Sequence, residues 1–128
     1  MQDERIVDKV YSALIRDGEL MKLLGNPTTA KARNAKIVRA RKESNEQFKP
    51  PVIGLFLDGA TPSNNSYRLR AKLDIEIYAN SRSEGVRIKS RIRQAMFKLG
   101  YLRDSGGQMA GSVYCWRDTY KVLVNADS

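Results

Sequence analysis

The chain has 128 residues, 41% of them hydrophobic and 29% charged, and a formal net charge of +9. That size and composition fit one domain over residues 1–128 with its own core. The absence of histidine removes the commonest general base, the commonest metal ligand and every triad built on imidazole.

The first predicted element is a helix. Ile6, Val7, Val10, Tyr11, Leu14 and Ile15 make one wide apolar stripe, and Asp3 and Glu4 suit the positive end of the helix dipole. These first residues do not read as an export signal, and no apolar run approaches the roughly 20 residues needed to cross a bilayer. Gly18 interrupts the stripe, Leu20, Met21, Leu23 and Leu24 resume it, and Gly25-Asn26-Pro27 stops it.

Residues 28–50 are basic and carry little periodicity, and the run from Ala30 to Lys42 reads as a solvated helix, an irregular strand or a mobile arm. Val52 to Leu57 is a short apolar run after Pro50-Pro51 and reads as a buried strand. Residues 58–67 are turn-rich and read as a flexible loop. Leu69, Ala71, Leu73, Ile75 and Ile77 then alternate with Arg70, Lys72, Asp74, Glu76 and Tyr78. This is the pattern of a half-buried strand, with its polar face turned to solvent or to a partner.

Ser81 or Ser83 is a candidate N-cap for a helix from about Glu84 to Leu99. Ile88, Ile92, Ala95, Met96 and Leu99 form its core side, Arg87, Lys89, Arg91 and Arg93 lie opposite, and Gly100 is its C-terminal cap. Residues 105–111 read as a second, glycine-rich flexible loop, after a short edge strand near Tyr101 to Arg103. Val113 to Asn125 reads as strand, with a break in alternation near Arg117-Asp118 that implies a turn, a bulge or two strands. The predicted fold is α+β, a mostly antiparallel sheet of about four strands packed against two main helices.

Little in this layout is catalytic. Cys115, the single cysteine, permits no intrachain disulfide, favours a reducing compartment and reads as a buried apolar residue. Asp74 and Glu76 share a strand face with Arg70 and Lys72, which favours ion pairs over an acid/base couple. No phosphate-binding glycine motif or metal-ligand spacing is present, so the chain is expected to be neither an enzyme nor a cofactor binder. The positive charge is concentrated. Residues 26–50 carry +5 and residues 84–104 carry +4, with the candidate contact residues being Lys31, Arg33, Lys36, Arg39, Arg41 and Lys42, and Arg87, Lys89, Arg91 and Arg93. Such a field attracts nucleic acid or an acidic protein surface, but no helix-turn-helix or RNA-binding signature accompanies it.

The stretch from Phe48 to Asn125 has a recognisable order. Pro50-Pro51 leads into Val52 to Leu57, a polar loop follows, then Ala71 to Tyr78, a helix, a glycine-rich loop and a last strand around Tyr120 to Val124. With the N-terminal helix before it, this order resembles the tail terminator (tail completion, minor tail protein U-like) family of long-tailed bacteriophages. The basic run Ala30 to Lys42 departs from that pattern.

The resemblance implies an α+β protomer that assembles into a hexameric ring, stops growth of the tail tube and joins tail to head. It implies self-association, contacts with the tail tube protein and a head-completion or connector protein, and DNA passing through the lumen. The place would be the virion neck, after assembly in the host bacterial cytoplasm, with no membrane contact. On that reading the basic residues line the lumen or an interface. A small basic accessory protein that binds nucleic acid without sequence preference is the alternative, and an enzyme using Asp74 and Glu76 is a more distant one.

Overall fold

A computed structural model of the chain describes residues 2–39, 49–62, 68–108 and 114–125, with the backbone alone described for 2–5, 58–62, 68–71, 108 and 123–125. In chain order the elements are α1 (Gln2–Ile15), α2 (Gly18–Leu23), α3 (Ala30–Lys36), β1 (Ile37–Val38), β2 (Val52–Pro62), β3 (Arg68–Tyr78), α4 (Arg82–Lys98), β4 (Leu102–Gln108) and β5 (Cys115–Asn125). The strands form one sheet in the order β1-β2-β3-β5-β4. Only β1 runs parallel to its neighbour, and every other pairing is antiparallel. The fold is therefore α+β as expected, with five strands rather than four.

Period-two alternation decides what each face of the sheet holds. Leu73, Ile75 and Ile77 on β3 stand beside Ile53 and Leu55 on β2 and beside Trp116 and Tyr120 on β5, all buried on the helix-bearing side. Val7, Val10 and Leu14 of α1, Leu20 and Met21 of α2, and Ile88, Ile92, Ala95 and Met96 of α4 close the core over them. Each such valine, leucine, isoleucine or methionine contributes about 1.5–3 kcal/mol by leaving water, so the stripes of α1 and α4 account for their docking. Ser81 caps α4 by accepting from the Glu84 amide at 3.1 Å. Gly100 turns the chain at φ 81°, beyond the end of the helix.

Three expectations need correction, and one open reading is decided. Of the alternatives for the basic segment, the helix holds at its start: Thr29 caps α3, and Ile37 is buried in β1 against β2. Tertiary pairing supplies the order that local periodicity lacks; residues 40–48 lie outside the described residues. The loop expected over 58–67 is shorter, because β2 continues to Pro62 and β3 begins at Arg68, paired through Ala60, Thr61 and Pro62 after a bulge.

The glycine-rich stretch from Ser105 is not a loop over its first four residues, since β4 runs to Gln108 against β5. A Cβ at Gly106 would collide with the Asp118 carboxylate and the Arg103 guanidinium, so the glycine there serves close approach. Lastly, β5 is one continuous strand through Arg117-Asp118. The alternation breaks only because an aspartate occupies an inward position, opposite Ile75.

Candidate functional site

The ten cations singled out in the sequence do not form one surface. On α4, Arg91 grips Asp17, the N-cap of α2, with Nη2 donating to both carboxylate oxygens at 3.0 Å and Nε to one at 3.2 Å. Arg93 donates through Nε to Asp118 at 3.2 Å, and Arg103 of β4 does the same on the other carboxylate oxygen. Lys89 lies over the Trp116 ring, 5.8 Å from its centroid. The sequence places Arg87, Lys89, Arg91 and Arg93 on a positive exposed face, but only Arg87 fits that description without qualification.

The earlier run divides in the same way. Arg39 donates to Asp8 at 2.9 Å and stacks over Tyr11, 4.4 Å from the ring centroid. Lys36 donates to the Lys49 carbonyl at 3.1 Å. Lys31 and Arg33 sit on α3 without an acidic partner among the described residues. Arg41 and Lys42 lie outside the described residues. Arg91 and Arg93 are thus structural, each held by an acid largely shielded from solvent and remote in sequence, and Arg39 pairs with Asp8 at the surface.

Asp17 shows what such a pair does. Burial opposes its charge, but Arg91 and the Leu20 and Glu19 amides outweigh this and hold the carboxyl below its ordinary value of 3.8. A lowered carboxyl contributes stability that is present above its unfolded value and lost as pH falls through the folded one. Asp17→Asn keeps a good capping group and removes the charge, with an expected cost of about 1 kcal/mol near neutral pH. Thermal melts of both proteins from neutral pH downward should converge below about pH 4. A gap that persisted unchanged at the lowest pH would refute this role for the pair.

The other face of the sheet carries a second polar group. Asp74 and Glu76 are 5% and 4% exposed, so the polar side of β3 is not simply turned to solvent here. Glu76 accepts from Arg117 Nη2 at 2.9 Å and from the Tyr78 hydroxyl at 2.6 Å, and Asp74 accepts from Thr119 at 2.7 Å. Described partners thus stand on β5 and on β3 itself. Burial, then the Glu76 charge, pushes the Cys115 thiol up to about 11, so it stays a protonated, buried group near neutral pH. No group of three or more metal-type ligands occurs among the described residues, and neither surface groove described is lined by Asp74 or Glu76.

No protein-family model and no curated protein matches this chain. Functional argument therefore rests on the surface itself. Among its exposed large hydrophobic residues are Val86 at 51% and Phe97 at 81%, both on the outward side of α4. In the sequence their apolar character is masked by the arginines and lysines on the same side. The available signal was their spacing, out of phase with the core stripe of Ile88, Ile92, Ala95 and Met96. No described helix is long and apolar enough to cross a membrane.

Proposed function

We propose that the chain is a structural assembly protein of a long-tailed phage or prophage, of the tail terminator type. Copies of it close into a hexameric ring that halts tail-tube growth and joins tail to head, without catalysis. One observation carries the reading. The described strands form a sheet that stands open at two unlike edges, β1 and β4.

A ring is built by heterologous contacts, in which one surface of a subunit meets a different surface of the next. An edge strand with free backbone groups is a template for such pairing, and β4 is exposed from Leu102 to Gly107. The ring would sit at the virion neck, between the tail tube protein and a connector protein, with DNA crossing its lumen. Among the described residues, Lys31, Arg33 and Arg87 are three cations free to face phosphate or a neighbouring subunit. Arg39, Arg91 and Arg93 are not assigned that role, because the fold already uses them.

Sedimentation velocity and negative-stain microscopy over a range of protein concentrations test the reading. Six-fold rings are expected, weakened or unable to join heads when Lys31, Arg33 and Arg87 are changed together to glutamate in a protein that still melts normally. A monomer at every concentration, binding DNA with a steep salt dependence, would overturn the ring and favour a nucleic-acid accessory role.

A further inference from the structure

We infer that the outward face of α4 is a docking groove for an acidic amphipathic helix of a partner protein. This stands independently of the tail reading, since it rests on one helix face. Val86, Ser90, Arg93 and Phe97 are spaced by four, three and four residues and so fall in one line along the helix. That is the spacing at which a helix meets another helix along a seam.

The line forms a groove of about 520 Å³, open to solvent, with Lys89 and Gln94 completing its sides and mostly carbon on its walls. Ser90, small and exposed, leaves the middle of the line low between Val86 and Phe97. The two anchors are 11 residues apart, which is about 16 Å along the helix axis. Val86 and Phe97 thus offer two exposed apolar anchors at the ends of a line whose middle is polar.

Charge decides what fits. Lys89 and Lys98 border the groove with no acidic partner among the described residues. Glu84 is the sole acid of α4, and it is occupied at the helix start, accepting from the Asn80 amide at 2.8 Å. Arg93 differs, because its charge is already met by Asp118 and its stem serves as groove wall. A second copy laid on the same face would bring lysine against lysine, and like-charge contact costs affinity. A phosphate backbone would satisfy the lysines but leave Val86 and Phe97 without apolar cover. A helix with apolar side chains at matching intervals and carboxylates beside them satisfies both requirements.

The test uses a labelled synthetic helix of about 18 residues, with leucine at the i, i+4, i+7 and i+11 positions, glutamate beside them and alanine elsewhere. Binding to the full chain is followed by fluorescence anisotropy. Phe97→Asp should weaken binding about tenfold or more, and the paired change Lys89→Ser with Lys98→Ser should weaken it and flatten its salt dependence. Phe97 is 81% exposed, so the variant should keep the parent melting curve. The proposal fails if the peptide does not bind, or if it binds Phe97→Asp equally well. It also fails if duplex DNA, and not the peptide, binds in a Phe97-dependent way. Self-association of the free protein that Phe97→Asp abolishes would assign the groove to a second copy instead.

Discussion

Replacing Gly85 by alanine should lower stability by about 2 kcal/mol, although alanine is the better helix former. Two effects compete at this position. Inside a helix, exchanging glycine for alanine gains about 1 kcal/mol from reduced chain entropy. Against that, a Cβ built on Gly85 runs into Cζ3, Cη2 and Cε3 of the Trp116 indole. Gly85 is itself buried, and Trp116 is 8% exposed with its ring packed beneath α4, so neither side has open space into which to relax. Overpacking a tight core costs about 1–3 kcal/mol and sometimes more, and direct collision with a flat, stiff ring belongs at the upper end. Packing therefore outweighs propensity. A double-mutant cycle isolates the cause: with Trp116→Leu already in place, Gly85→Ala should be neutral or stabilising, a coupling on the order of 2 kcal/mol. Urea unfolding of the four proteins reads it. If Gly85→Ala stabilises the otherwise unchanged protein, the close packing described between α4 and β5 is wrong.

The parts of this fold that were legible in the sequence are those set by local periodicity. The alternation through Leu73, Ile75 and Ile77 places β3, and the stripe through Ile88, Ile92 and Met96 places α4. Both signals lie within one element and reflect burial on one face. What was not legible depends on residues distant in sequence. The partner of Arg91 is 74 residues away, that of Arg39 is 31 away and that of Arg93 is 25 away. A charge balance taken along short windows makes these arginines appear unpartnered, whereas the folded chain pairs each of them. The same holds for Ser105-Gly106-Gly107, whose turn-like composition suggests a loop. There the glycine answers a tertiary demand, room for Asp118 and Arg103. Two-residue β1 is beyond any periodic signal, since only its pairing with Ile53 and Gly54 makes it a strand.

These pairings also change what the basic charge implies. A net charge of +9 draws attention to polyanions, yet several of the arginines that produce it are part of the fold. Their removal would weaken the protomer itself. Lys31, Arg33 and Arg87, like Lys89 and Lys98, are different in kind, being placed on helix surfaces with no acid to hold them among the described residues. Experiments on partner binding should change those, because a loss of function at Arg91 or Arg93 could not be separated from a loss of folding.

Asp118→Ala should be the costliest single change among the charged residues, lowering stability by about 2 kcal/mol. The carboxylate is 1% exposed, lies on the helix-facing side of β5 and accepts one hydrogen bond at 3.2 Å from each of Arg93 and Arg103. Removing one member of a fully buried pair typically costs about 3–5 kcal/mol, because the other charge is left without compensation. Here the two guanidinium side chains are 42% and 40% exposed, so each can turn towards water and recover part of its hydration. That lowers the expected cost below the fully buried case, but not to the small value of a surface pair. The arrangement is also asymmetric. Arg93→Ala leaves Asp118 with Arg103, and Arg103→Ala leaves it with Arg93, so each should cost only about 1 kcal/mol. Changing both arginines together should exceed the sum of the single changes, since only then does the buried carboxylate lose both of these guanidinium donors. Denaturant melts of the four variants test this ranking. Equal costs for Asp118→Ala and Arg93→Ala would mean that Arg93 stabilises the fold through some other contact. In that case it should be restored to the set of cations considered for assembly.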